Sequence, residues 1–186
     1  MRKEKSVSMS KRRTNMLEVS IYNLEDKQRL ADAIRAQTSD APTVYMCIGT
    51  EKVFSDSLGP RVGTLLNDKL ERATFVYGLC NQNITAENLQ YSYNFIKALH
   101  PNSRIVVVDA GVGAAEQIGK VQICEGGIAP GAATNKNLPS VGDVGIIGIV
   151  AEKGMSDFYT LNSSKDRLVG CVAKFIAEAI LEATSA

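Results

Sequence analysis

The sequence predicts an α/β fold, a three-layer α/β/α sandwich on a mostly parallel central sheet. Three observations carry this. Short β-branched apolar runs recur along the chain, and stretches of helical periodicity separate them. The composition, 45% hydrophobic and 22% charged over 186 residues, is that of an ordinary globular chain long enough to bury a core. Strands alternating with helices imply parallel strands joined by crossovers, with helices on both faces of the sheet.

From the N-terminus, residues 1–14 hold six Lys/Arg against one Glu, so the remainder of this +1 chain is net acidic. A polar, aperiodic, basic stretch of this kind predicts a disordered tail over 1–16, followed by a single domain over 17–186. An acidic body speaks against a nucleic-acid surface on the folded domain. Residues 24–37 read as a helix with Leu30, Ala31, Ile34 and Ala36 near one face. "TVYMCIG" (43–49) is the first buried strand. "GPRVGTLLNDKL" (59–70) is a helix with Val62, Leu65, Leu66 and Leu70 on one side and Pro60 at its first position.

"ATFVYG" (73–78) is the next strand. A helix over 85–100 is expected to be capped by Thr85, to carry Glu87 in its first turn and to stop before Pro101. "RIVVVDA" (104–110) and "DVGIIGIV" (143–150) are buried strands, and "GKVQICEG" (119–126) alternates, as an antiparallel or edge strand does. The C-terminal helix, 165–183, places Leu168, Cys171, Val172, Phe175, Ile176, Ala179 and Ile180 at helical spacing.

No apolar run is long enough to cross a bilayer, and the basic N-terminus lacks the apolar core of a secretory signal. Cys47, Cys80, Cys124 and Cys171 form no paired motif and lie in or beside apolar stretches, the pattern of buried, reduced thiols. These features predict a cytoplasmic protein without a membrane partner. Cys47 alone lies near a candidate site and is a weak candidate nucleophile.

In such sheets, sites cluster outside the carboxyl ends of the strands. That rule selects two aspartates. Asp56 follows the first buried strand and precedes a helix, where it reads as a cap or as a catalytic group. Asp109 ends a β-branched run, where a carboxylate at a half-buried position is costly without a purpose. Two carboxylates held together divide into acid and base and can work on a water without His or metal. The single histidine, His100, lies at a helix end and suits interaction with the helix C-terminus better than catalysis. Zinc spacings, a Walker sequence and a complete dinucleotide fingerprint at "DAGVGAAEQIG" are all missing. No cofactor is expected, though Asp56, Asp109 and Glu51 could form a carboxylate-only Mg²⁺ site. The Gly/Pro/Asn-rich segment 125–143, with Lys136 its only cation, reads as a long loop over the same edge.

Four segments in order, "CIGTEKVFSDSLGPRVGT", "VYG", "VVVDAGVG" and "PGAATNKNLPSVGDVGIIGIV", resemble the YyaC-type sporulation proteins of spore-forming Firmicutes. The likeness covers roughly residues 41–183. That family is similar to the spore germination protease, which degrades the small acid-soluble proteins coating spore DNA. It shares the phosphorylase/hydrolase-like sandwich of hydrogenase-maturation endopeptidases. The resemblance implies catalytic roles for Asp56, in "SDSLGP", and for Asp109, in "VDAG". Glu51 stands where these relatives carry aspartate, and Phe54 and Ser55 where Thr and Gly are usual. No histidine lies near these segments, which argues against the nickel sensing of the hydrogenase-maturation branch.

The expectation is therefore a sporulation-associated peptidase of mother cell or forespore, with a protein or peptide substrate such as the small acid-soluble proteins. Asp56 and Asp109 activate water. Backbone N–H groups at Gly59 or in the 110–113 turn stabilise the oxyanion. Thr50, Glu51, Ser55, Ser57, Gly59, Gly111 and Lys136 contact the substrate. The alternatives are a non-catalytic binding factor on the same fold and a metal-assisted hydrolase; a homo-oligomer is compatible with each.

Overall fold

The computed structural model describes residues 16–70, 74–130, 140–154 and 163–185. The described residues form six strands, β1 (Met16–Ser20), β2 (Thr43–Cys47), β3 (Phe75–Tyr77), β4 (Arg104–Gly113), β5 (Lys120–Glu125) and β6 (Val144–Glu152). Four helices accompany them, α1 (Leu24–Thr38), α2 (Leu58–Asn67), α3 (Leu89–Leu99) and α4 (Ser163–Thr184). The strands make one sheet in the order β1-β5-β6-β4-β2-β3. β3, β2, β4 and β6 are mutually parallel, and β5 and β1 are antiparallel additions. The expected α/β architecture is therefore present, with corrections at its borders.

Side chains alternate between the faces of each strand. Tyr45, Cys47, Val106, Val108, Val121, Ile123 and Ile146 point into the larger core, with Leu30 and Ile34 of α1, Leu58, Val62 and Leu66 of α2, and Val172, Ile176 and Ile180 of α4. Val44, Met46, Ile48, Ile105 and Val107 point the other way, against Leu89 and Ile96 of α3 and against Ile128 and Val141.

Local chemistry sets the ends. Asn23 caps α1 by accepting the Glu25 N–H at 3.2 Å, and the Asp26 carboxylate accepts the Ser20 N–H at 2.8 Å. α2 lies directly on the sheet: a Cβ on Gly59 would come 2.1 Å from the Ile48 carbonyl oxygen.

Several expectations are corrected. Met16 belongs to β1 rather than to a tail; the rest of the tail, 1–15, lies outside the described residues. β1 is a strand the residue pattern did not reveal, and it takes the edge position beyond β5. α3 begins at Leu89, not Thr85. The Asn88 carboxamide accepts the Thr85 N–H at 2.7 Å and donates to the Asn83 carbonyl, holding 85–88 as a turn with Glu87 ahead of the helix. Ala36 is exposed on α1, and Cys171 is exposed on the outer side of α4, so only three of the thiols are even partly buried. Part of the strand expected over 73–78 and the middle of the loop over 125–143, residues 131–139 with Lys136, lie outside the described residues. Among the described residues, no helix is long and apolar enough to cross a membrane.

Candidate active site

The chain runs from β2 outward to β3, then returns to the other side of β2 to form β4. The strand order therefore reverses between β2 and β4. In open parallel sheets the crevice at the carboxyl ends of such a pair is the preferred ligand position. Asp56 follows β2 and Asp109 lies in β4, the two strands that flank this crevice.

The turn after β2 is built tightly. Ile48 donates its N–H to Val108 at 2.8 Å, extending the β2–β4 ladder to the residue before Asp109. Gly49 follows with φ +136°, and a Cβ there would fall 1.9 Å from the Asp56 carbonyl oxygen. That carbonyl accepts the Thr50 N–H at 3.0 Å. Asp56 thus sits in a 3₁₀ turn, Phe54–Ser57, closed back onto the end of β2 and packed against β4 and α4. It is half-buried. The cap position of α2 belongs to Ser57, which makes no side-chain cap bond, so Asp56 is not the residue that caps this helix.

Asp109 is 6% exposed, on a strand flanked on both sides. Its Oδ1 accepts the Ala110 N–H at 2.8 Å. Alternation from Ile105 and Val107 turns it toward the face that carries α3. Two residues on, the β4–β6 register shifts between Gly111 and Val112, an irregularity of the kind that re-aims a strand end beside a site. A cavity of about 290 Å³ opens there, lined by Asp109 and Gly111, by Gln122 of β5, by Ile128, and by Ile147 and Lys153 on and after β6. It offers one buried carboxylate, one carboxamide and an aliphatic wall. Gln122 is steadied by donating to Glu18 at 2.8 Å. Lys120, Gln122 and Gln117 all bond the Glu18 carboxylate, and the Lys120 bond is the main cause holding its pKa below the ordinary value.

The other expected site residues divide. Gly111 lines the Asp109 cavity. Thr50 and Glu51 stand at the mouth of the β2 turn, Thr50 half-buried and Glu51 exposed and close enough to Cys80 to raise its thiol pKa, after burial as the larger cause. Ser55, Ser57 and Gly59 are buried. Ser57 donates to the Phe54 carbonyl at 2.6 Å, and Gly59 is committed to close packing on Ile48. Ser55 Oγ is fully buried and has no hydrogen-bond partner among the described residues. Asp56 does not line the cavity that holds Asp109. Cys47 fails as a nucleophile: it is fully buried in the larger core, and burial pushes its thiol far above the ordinary value. His100 is structural, with its ring nitrogen 2.9 Å from the Tyr77 hydroxyl and its ring packed on Phe75. Among the described residues, no three His, Cys, Asp or Glu side chains group to hold a metal ion. Gln122, Ile147 and Lys153 were not anticipated; the strand-end rule that selected Asp109 would also have selected Lys153, just past β6.

A six-stranded, mostly parallel sheet with helices on both faces defines an α/β protein. The NiFe hydrogenase maturation protease HycI from Thermococcus kodakarensis KOD1 aligns with a TM-score of 0.51 at 18% identity, over 80% of this chain and 98% of that one. At that identity the likeness establishes the fold. The chain belongs to the family described as "Protein of unknown function (DUF1256)", whose model matches residues 18–179. It is also 36% identical over 151 residues to the uncharacterized protein YyaC of Bacillus subtilis (strain 168), spanning 81% of this chain and 73% of that protein.

Proposed function

We propose that this protein is a peptidase of sporulating cells in which Asp109, with Asp56 across the β2–β4 crevice, activates a water for attack on a substrate amide. The observation that carries the reading is Asp109 itself, 6% exposed yet opening into a cavity lined from β4, β5 and β6. Two carboxylates acting at one site can divide the roles of acid and base between them. The aliphatic wall beside Asp109 suits a side chain of a protein substrate, and the fold is one on which protein-processing chemistry is known. Cytoplasmic action in mother cell or forespore, on small acid-soluble spore proteins, is part of the same proposal.

The experiment is a cleavage assay on an acid-soluble spore extract, with new peptide termini read by mass spectrometry. Wild-type protein should generate termini that fall at least about 100-fold in abundance with Asp56→Asn and with Asp109→Asn, the loss expected for removing a general acid or base. A second reading, a peptide-binding factor without catalysis, draws on the separation of Asp56 from the Asp109 cavity lining. Pull-down of an extract peptide by wild type, weakened by Ile147→Ala and unaccompanied by new termini, would select it.

A further inference from the structure

α3 differs from the other long helices in what it shows to solvent. α1 turns Glu25, Gln28, Arg29 and Asp32 outward, and α4 turns Arg167 and Lys174 outward. α3 instead exposes Tyr91 (75%), Phe95 (46%) and Leu99 (54%). Residues four apart lie on one side of a helix, so these three form a single stripe. The rings of Tyr91 and Phe95 stack with centroids 6.3 Å apart. Edge strand β3 prolongs the stripe with Phe75, 46% exposed, whose ring lies 4.3 Å from that of His100, the residue after Leu99. Of the exposed flanking residues of the helix, Gln90, Asn94 and Ala98 are uncharged and Lys97 carries the one charge. Lys97 lies over the Tyr93 ring at 5.5 Å. A solvent-facing helix ordinarily carries its charges on this side, and a contiguous apolar patch marks an interaction surface.

We propose that this stripe is the contact surface of a two-fold symmetric homodimer, with α3 packed antiparallel on its copy and Phe95 at the axis. The spacing selects a second copy. In an isologous contact residue i meets j while j meets i. With Phe95 on the axis, Tyr91 of each protomer meets Leu99 of the other, so the stripe is complementary to itself. The antiparallel axis brings no like charges together, since it sets Lys97, the one charge of α3, opposite Tyr93 of the copy, whereas a strongly charged partner would find only that single charge to pair with. The four side chains each offer on the order of 100 Å². Over both copies that is roughly 800 Å², and the flanking residues carry it toward the roughly 1,200 Å² of the smaller specific interfaces. The dimer is accordingly reversible, with dissociation in the micromolar range or weaker.

Sedimentation equilibrium of the full chain, from low to high micromolar concentration, tests this. Wild type should show a monomer–dimer equilibrium. Phe95→Glu should raise the dissociation constant at least about ten-fold, as loss of a central interface anchor does. Leu24→Glu, at a leucine 96% exposed on a different helix, should leave it unchanged. A chain that stays monomeric, or a dimer indifferent to Phe95→Glu, overturns the proposal. Because these positions are exposed, thermal melts should confirm that each variant folds.

The register has its own test, in a Cys171→Ser background that removes the exposed native thiol. Phe95→Cys should oxidise to a covalent dimer with itself. Tyr91→Cys should not cross-link alone but should do so when mixed with Leu99→Cys. Self-cross-linking of Tyr91→Cys, without cross-linking of Phe95→Cys, would overturn the antiparallel axis.

Discussion

The two faces of the sheet are built for different ends. One face is closed by α1, α2 and α4, and its core side chains, among them Tyr45, Leu30, Leu66, Val172 and Ile176, are fully buried. The other carries α3 and the paired Ile128 and Val141, and it leaves a cavity at Asp109 and an apolar stripe on α3. Stability is concentrated on the closed face, where removing atoms leaves voids that the surroundings cannot fill. On the other face, among the described residues, a buried carboxylate keeps a cavity beside it. A single strand serves both: Val106 and Val108 secure the closed core, and Asp109, one residue further, faces the open side.

The sharpest way to break this division is at the seam, where α2 meets β2. Gly59→Ala would drive a methyl to 2.1 Å from the Ile48 carbonyl oxygen and 2.7 Å from its backbone nitrogen. Overpacking of this kind should cost about 3 kcal/mol, and at this chain length lower the melting temperature by roughly 6–12 °C. A melt within a degree of wild type would mean that α2 is not seated on the sheet as described.

Matched truncations sharpen the contrast. Ile176→Ala, on the closed face and fully buried, should cost about 3 kcal/mol in chemical denaturation. Ile147→Ala, partly exposed and already beside a cavity, should cost about 1 kcal/mol, while changing peptide binding or cleavage. Equal costs would erase the distinction between the faces. Thiol labelling gives a smaller signal in the same sense. Cys171 should react at once in the folded protein, and Cys47, buried and pushed to a high pKa, only on unfolding.

What the residues alone disclosed follows the same line. β2, β4 and β6 are largely continuous apolar runs buried on both faces, and such runs announce themselves. Asp109 was legible because a carboxylate directly after three valines demands an explanation, although β4 runs on past it to Gly113. β1 was not, because "MLEVS" gains its strand only by pairing with β5, register Met16 to Cys124 through Ser20 to Lys120. The true start of α3 was hidden by Asn88, whose side chain competes with the helix for backbone partners. The cavity was illegible for a deeper reason. Gln122, Ile128 and Ile147 meet Asp109 only after β5 and β6 have paired, and no local spacing records that meeting. The same holds for burial at Ser55, Ser57 and Gly59, which belong to a polar-looking turn that the fold presses against β2.

The smallest expected effect lies in acid, and it again has one representative on each side. Glu18, beside Gln122 on the sparse face, has a pKa lowered from 4.5 by the bond from Lys120 first and then by that from Gln122. Asp26, in the first turn of α1, has a pKa lowered from 3.8 by the Ser20 N–H first and then by Arg29. A carboxyl whose folded pKa lies below its unfolded value stabilises the fold at pH above the unfolded value and loses that contribution as pH falls through the folded one. Stability should therefore be level above about pH 4.5 and decline below it. Glu18→Gln should lower stability near neutral pH by up to about 1 kcal/mol, the scale of a partly exposed ion pair, and flatten the decline that begins near pH 4.5. Asp26→Asn should leave that part of the curve and flatten the part beginning lower, near pH 3.8. Denaturation midpoints measured across the acid range would separate the two. If both variants flattened the same part of the curve, the ordering of these carboxyls, and with it the description of the Glu18 cluster that steadies Gln122, would have to be revised.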